Sequence, residues 1–463
     1  MPQHTSPSRP SEPSKASGPS KVSGPSRRTT VRALAALAGG TALTAATTSC
    51  AVGGPTGPDR LSDGPVTLRM TWWGGDARHQ ATHKAIALFE KKYPRITVEA
   101  EFADWNGYWD RLATSAAGGN APDVIQNDIA YLASYAERGG LFDLGRSKHF
   151  DASLFTEETL DTGRHNGGLY GVPASVTSMA MLVNRTLVDE LGLRLPDTRS
   201  WTWDDLEKFS REVTRASGGK VHGSIPLGGP GIPILWARQH RQELFGRDAS
   251  VAVDPDVLGG LWEMTRDWSD NGAAPGAGVI VDSQVLPLDQ SPIATGKVVI
   301  SPAWCNQLIA YKAAAGGDEL ELVDLPRQPG SPRRHQFVKP GMYWSISSQT
   351  QHPAEAALLV NFLVGDEQCT KVLGAERGIP AATRTRENIA PSLAPDDTAA
   401  LRYVERMEKN LAGAPLPLFP NGASAVEDIL QRYVEEVLFG RSSGPEAGAG
   451  FVDELSGLIE SAS

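Results

Sequence analysis

The chain has 463 residues, 54 acidic against 44 basic, and its 11 Trp, 12 Phe and 9 Tyr supply enough large apolar surface for two folded domains, which excludes a wholly disordered chain. Three cysteines exclude a disulfide-stapled miniprotein. Residues 1–49 hold six basic residues and one acid, so the remainder carries 38 basic and 53 acidic residues, a net charge near −15 that repels polyanions; no segment after Arg32 concentrates Lys or Arg, and nucleic acid is excluded as a partner.

Residues 1–26 are almost entirely Pro, Ser, Gly and Lys and bury too little apolar area to offset ordering entropy. Ser26-Arg27-Arg28-Thr29-Thr30-Val31-Arg32 follows, then a weakly apolar stretch from Ala33 to Thr48, then Cys50. Charged, apolar and small segments in that order form an export signal. The apolar stretch is shorter than the roughly 20 residues of a permanent membrane span, so cleavage is expected. The paired arginines resemble a twin-arginine signal, with Thr30 where that pattern has an apolar residue; ordinary secretion is the alternative. Thr47-Thr48-Ser49-Cys50 resembles a bacterial lipobox, with Thr47 where Leu is usual, and marks Cys50 as the lipidated first residue of the mature protein. Residues 50–64, rich in Gly and Pro, read as a tether. Cys305 and Cys369 could pair in an oxidising compartment; two buried, unpaired thiols are the expectation.

Val66 to Trp72 reads as a strand, Ala77 to Tyr93 as a helix with Ala81, Ala85, Leu88 and Phe89 on one face, and Arg95 to Phe102 as a second strand. Trp105, Trp109, Leu112 and Ala116 form a helical stripe, and Asp123-Val124-Ile125 is a short buried strand. The βαβαβ order predicts an α/β fold with a mostly parallel sheet, whose ligands settle at loops leaving the strands' C-terminal ends. Those loops are Trp73 to Asp76, Ala103 to Asn106 and Gln126 to Asp128.

The strand ending Trp72-Trp73-Gly74-Gly75, the helix closing Phe89-Glu90-Lys91-Lys92-Tyr93-Pro94, the block Gly119 to Ile125 and the run Ala136 to Leu144 together resemble the extracellular solute-binding proteins of sugar ABC importers. Gly168-Leu169-Tyr170-Gly171-Val172-Pro173, Thr295 to Ile300 followed by Trp304, the helical run Pro353 to Glu367, and Arg377-Gly378-Ile379-Pro380-Ala381 extend the resemblance across roughly residues 65–385. It implies a two-lobed periplasmic-binding-protein-like fold of type II, closing by hinge bending on a sugar in the cleft. Crossings are placed near Ala174-Ser175, Gly341-Met342 and Pro380. One lobe is then 65–174 plus 342–379, the other 175–341 plus 380–463. The implied partners are a sugar or oligosaccharide and the ABC permease subunits, for a monomer held by its lipid at the outer face of the cytoplasmic membrane.

A pyranose presents an apolar C–H face and a rim of hydroxyls, so its site combines flat rings with hydrogen-bond acceptors. Trp73, Asp76, Asp104, Trp105 and Asp128 at the strand ends offer both. Asp76 and Asp104 also stand where they would cap helices, and Trp73 and Trp105 where they would simply pack. Asp128 matches the family position where an acid faces the cleft, and Trp304 resembles its stacking aromatic. Tyr343 and Trp344 lie at the second crossing, where alternation sends one to the cleft and one to the core; Trp236 is a further candidate. Arg377 either braces the cleft or caps a helix. Trp201, Trp203, Trp262 and Trp268 read as core residues.

No G-x-S-x-G, H-E-x-x-H, phosphate-binding loop or paired C-x-x-C occurs, so the common hydrolase, zincin, nucleotide and thiolate-metal readings lack their anchor. A polysaccharide-cleaving enzyme is one alternative, since 54 acids are enough to supply two opposed carboxylates. A metal-uptake protein using His79 and His83, four residues apart on the first helix, is the other. No cofactor and no catalytic residue is expected.

Overall fold

The computed structural model describes residues 59–462 except 228, 230, 247, 332–334 and 411–414, and for Asn106 only the backbone. The export signal, Cys50 and most of the tether lie outside the described residues. The chain enters the fold earlier than the tether boundary suggests: Asp59 accepts hydrogen bonds from Ser147 Oγ and Lys148 N, and Ser62 N donates to Glu355.

The first five elements follow the sequence pattern: β1 (Val66–Trp73), α1 (Asp76–Lys92), β2 (Ile96–Ala103), α2 (Trp105–Ala117) and β3 (Val124–Asn127). Helix α1 buries Thr82, Ala85, Ile86 and Phe89 and carries Lys91 and Lys92 in its last turn, where cations favour the helix dipole. The remaining strands are a small hairpin, β4 (Arg164–His165) with β5 (Gly168–Leu169), then β6 (Val172–Asn184), β7 (His222–Ser224), β8 (Val298–Trp304), β9 (Leu320–Val323), β10 (Val338–Ile346) and β11 (Ile379–Pro380).

The sheet runs β2-β1-β3-β10-β6-β8-β7, with β9 and β11 also pairing β6. It is mixed rather than mostly parallel. Parallel pairing is confined to β1, β2 and β3 and to β7 with β8, while β10 and β6 run antiparallel to their neighbours. The reason is connectivity: the strands that carry the chain between lobes return through the sheet instead of being led back by a covering helix.

Two large apolar cores flank this arrangement. The first gathers Leu68, Met70, Trp72 and Phe89 with Leu359, Val360 and Leu363 of the helix Pro353–Gly365. The second gathers Trp201, Trp203, Trp262 and Trp268, all almost fully buried, with Phe451 and Leu455 of the C-terminal helix Gly444–Ala462. The helix Pro395–Glu408, assigned from sequence to the second lobe, sits astride both. Its Leu401 and Val404 pack into the first core, while Tyr403 Oη donates to Met179 O at 2.9 Å and Arg406 pairs with Asp324 at 2.8 Å. Cys305 and Cys369 are buried and unpaired. Among the described residues no helix is long and apolar enough to cross a membrane.

The three segments where crossings are expected lie side by side in β6, β10 and β11. Ser175 of β6 pairs with Met342 of β10 and Pro380 of β11, and its hydroxyl donates to Arg377 O. Gly341 and Gly378 close the knot. A Cβ on Gly341 would lie 2.5 Å from Ser175 Oγ and 3.2 Å from Arg377 O, and Gly378 has φ +108°, in the region that favours glycine. Ser175 is buried and hydrogen-bonded, so it cannot swing aside freely. Gly341→Ala should therefore cost about 1–3 kcal/mol in urea denaturation, and the loss should shrink in a Ser175→Ala background, as a double-mutant cycle would read.

Candidate functional site

A cavity of about 240 Å³ opens beside the second core, to which its buried apolar lining residues Trp73, Ile129, Ile234, Met342 and Phe419 belong. One part of the lining is Trp73 at the end of β1 and Trp105 at the start of α2, with Asp128 and Tyr131 from the loop after β3. The opposite wall is Gly231 and Ile234 with Trp304, Asn306 and Gln307 after β8. Thr177, Lys339, Gly341 and Met342 of the crossing strands form the floor, and Phe419 and Glu427 close the last side. Phe419 N donates to Ile129 O at 3.2 Å, so the C-terminal segment is latched to the loop after β3. A second cavity of about 270 Å³ adjoins the first, with Trp105 and Glu427 belonging to both.

The aromatic wall is built by mutual packing. Trp73 meets Trp105 edge-on at 5.0 Å and Tyr108 at 5.2 Å, and Tyr131 stacks on Trp109 at 3.6 Å and 12°. Such pairs hold their rings in fixed orientations and add about 0.5–1.5 kcal/mol each beyond area burial. The cavity is thus lined by rings that do not have to be ordered when something enters.

The structure brings Trp73, Trp105, Asp128 and Trp304 of the sequence candidates to this one cavity. The others lie elsewhere, each for a definite reason. Asp76 is not a cap: α1 begins one residue earlier than expected, Gly75 holds the capping position, and the Asp76 carboxylate points to solvent in the first turn. Asp104 is a cap, accepting from Gly107 N at 2.8 Å, and is exposed outside the cavity. Trp236 belongs to the core: it sits on the helix Gly231–Gln239, packs against Trp203 at 5.7 Å and donates from Nε1 to Val257 O at 2.8 Å, while Gly231 and Ile234 of that helix face the cavity.

Tyr343 and Trp344 are both almost fully buried and neither lines the cavity. Register shifts on either side of Met342 break the simple alternation, so that Met342 faces the cavity, Tyr343 donates to Thr162 O at 2.8 Å, and Trp344 packs beneath the Arg377 guanidinium. Arg377 is itself buried, donating to Gln126 Oε1 at 3.1 Å and Thr82 Oγ1 at 2.7 Å; it braces the first lobe without reaching the cavity. His79 Nδ1 accepts from Trp72 Nε1 at 3.0 Å, and Phe102 packs against His79 and His83. The pair is committed to an aromatic cluster, and among the described residues no three His, Cys, Asp or Glu side chains group as metal ligands.

Arg78, Tyr131, Asn306, Lys339 and Glu427 are among the lining residues that carried no readable signal. Arg78 is paired with Glu376 at 2.9 Å and donates to Trp73 O at 3.2 Å. The Lys339 ammonium lies 4.8 Å from the Trp304 ring centroid and donates to Pro340 O at 3.0 Å, so one face of Trp304 is covered by a cation. Burial pushes the Lys339 ammonium down from its ordinary value, opposed by the charges of Asp128 and Glu427. Glu427 lines the cavity with its side chain exposed to solvent; desolvation by the surrounding protein, with the neighbouring charges of Asp128 and Asp428, pushes its carboxyl up to about 7. Burial and the same acids push Tyr131 up to about 12.

The cavity combines aromatic rings with carboxylate, hydroxyl and amide side chains, the mixture that small-molecule sites use. Residues 84–400 match the profile of the bacterial extracellular solute-binding proteins. The chain belongs to that family. This solute-binding protein is 23% identical over 402 residues to an uncharacterised lipoprotein of Streptomyces antibioticus, covering 80% of this chain and 86% of that one. It is 22% identical over 363 residues to the maltooligosaccharide ABC transporter solute-binding lipoprotein of Streptococcus pneumoniae, covering 75% and 80%. Among solved structures, the periplasmic oligogalacturonide-binding protein of Yersinia enterocolitica, in complex with saturated digalacturonic acid, superposes with a TM-score of 0.74 at 25% identity, over 86% of this chain and 99% of that one.

For the solute-binding protein, the capping role of Asp104 has a simple check. Asp104→Ala should lower stability to urea by about 1 kcal/mol, while Asp104→Asn, which can still accept from Gly107 N, should stay within a few tenths of wild type.

Proposed function

We propose that the protein is the carbohydrate receptor of an ABC importer, held outside the cell by a lipid on Cys50. The observation that carries this reading is the cavity beside the second core, lined by Trp73, Trp105 and Tyr131 and by the polar side chains of Asp128, Thr177, Asn306 and Gln307. Flat rings match the C–H faces of pyranoses, and the polar groups both donate and accept, as hydroxyls require. The named ligands of relatives, a maltooligosaccharide and an oligogalacturonide, favour an oligosaccharide over a single ring.

Binding and closure form one event. The lobes are joined through β6, β10 and β11 and latched from Phe419 to Ile129, so a ligand touching both walls stabilises the closed arrangement by its differential contacts. The closed form is what a permease distinguishes from the empty one. No bond in the ligand is made or broken; import is powered by the partner ATPase.

One observation favours a second reading, a glycan-cleaving enzyme: Asp128 and Glu427 face the same cavity, and Glu427 holds its proton up to about pH 7, as a general acid would. Chromatography after prolonged incubation separates the two readings. The receptor returns the glycan intact; accumulation of shorter products establishes the enzyme.

Two measurements test the receptor itself. A neutral or charged oligosaccharide present at a hundred times its Kd should raise apparent stability by about 2.7 kcal/mol in a thermal-shift screen. Trp105→Ala should weaken that binding at least about tenfold, or about 1.4 kcal/mol, by titration calorimetry. In cells, Cys50→Ser should abolish incorporation of labelled palmitate and release the protein from the membrane fraction, whereas retention of both in the variant would remove the lipid anchor from this proposal.

A further inference from the structure

The second cavity differs from the first in its chemistry. Its base is aliphatic: Leu227, Pro233, Leu430 and Val434 line it, and all four are buried. Leu430 and Val434 stand four residues apart on the helix Val426–Leu438, so one face of that helix supplies both. Glu427 and Asp428, a turn earlier on the same helix, are exposed, so solvent screens their charge.

The rings separate the two cavities further. Trp73, Trp105, Tyr131 and Trp304 line the first, whereas among the described residues Trp105 is the one ring on the second, and it is shared. No Lys, Arg or His among the described residues lines the second cavity, and its amides are Gln284 and Gln431. A further pyranose placed there would find no stacking platform of its own and few groups to match its hydroxyls. An aliphatic group would find its counterpart.

A second observation points to the same kind of occupant. Val285 lines this cavity and is 65% exposed, the most of any large apolar side chain among the described residues. Single exposed apolar residues are ordinary, but this one stands at a cavity whose base is already aliphatic, and an apolar group entering there removes both surfaces from water. Size agrees as well. Neither cavity alone reaches the roughly 300 Å³ at which small-molecule sites begin, and the two joined exceed it.

We propose that the ligand is an amphipathic glycoside, whose sugar occupies the first cavity and whose aliphatic aglycone passes Trp105 into the second. This deepens the carbohydrate-receptor reading and rests on it. Trp105 is held edge-on by Trp73 at 5.0 Å and by Trp109 at 5.5 Å, so the bond between sugar and aglycone lies across a ring fixed by its neighbours. Rings and polar side chains hold the sugar; Leu227, Pro233, Leu430 and Val434 hold the aglycone.

Titration calorimetry on the purified protein with two probes of identical sugar tests the inference: methyl β-maltoside and n-octyl β-maltoside, the latter below its micelle concentration. A buried methylene is worth roughly fourfold in affinity, so the octyl glycoside should bind at least about tenfold tighter and with a more negative heat-capacity change. Val285→Asp and Gln431→Glu each place a carboxylate at the second cavity, at an exposed and a half-buried position, and unchanged thermal midpoints serve as the folding control. The double variant should bring the two probes within about threefold of each other while leaving the methyl glycoside's affinity as it is, because neither residue lines the first cavity. If the two glycosides bind equally to the unaltered protein, or the octyl preference survives in the double variant, the inference fails and the receptor reading stands. If neither glycoside binds, the inference fails as well, and the thermal-shift screen above decides separately whether the receptor reading falls with it.

Discussion

A single strand belongs to both halves of this molecule, and everything else is arranged around that constraint. The first half of β6 pairs with β10 and β11, its second half with β8 and β9, so thirteen residues of continuous backbone carry the ladder from one lobe to the other. At the changeover, Ser175 is hydrogen-bonded to Arg377 O and pressed by two glycines that leave no room for a side chain. The crossing also places part of the cavity lining, because Thr177, Gly341 and Met342 come from the same few residues.

The cavity wall shows how stability and recognition share the same groups. Trp73 and Tyr108 are buried against each other and against Trp109, and they extend the second apolar core to the edge of the cleft. Rings pre-positioned by packing lose little entropy when they meet a ligand, which is why a wall of this kind can bind a flexible glycan at all. The opposite wall is less regular and more polar. There, Trp304 is shared between Phe337 and the Lys339 ammonium, so its free surface is partly occupied by the protein itself. The electrostatics of the site follow from this packing, since acids drawn from the loop after β3 and from the helix Val426–Leu438 are brought to one cavity together with the Lys339 ammonium.

The strand-end loops of the first hundred mature residues were legible because two local rules coincide there. Alternating apolar residues give the strands, and the C-terminal ends of parallel strands are where ligands gather, which locates Trp73, Trp105 and Asp128 without any knowledge of distant contacts. Asp76 and Trp236 were misplaced for opposite reasons. A one-residue shift in the start of α1 turned the first toward solvent, and a nearby helix face turned the second into the core. Between Tyr343 and Trp344 alternation offered a choice that the structure does not take, because register shifts around Met342 send neither to the cavity.

The sequence by itself determined the alternation of strands and helices, the family resemblance and the aromatic, acidic character of the loops, since each of these is written in neighbouring residues. Tertiary structure alone decided which distant groups meet. Lys339 and Trp304 lie 4.8 Å apart although 35 positions separate them, and Glu427 faces Asp128 across nearly 300 residues. No local pattern encodes such pairings, because they depend on how segments far apart in the chain are packed together by the whole fold.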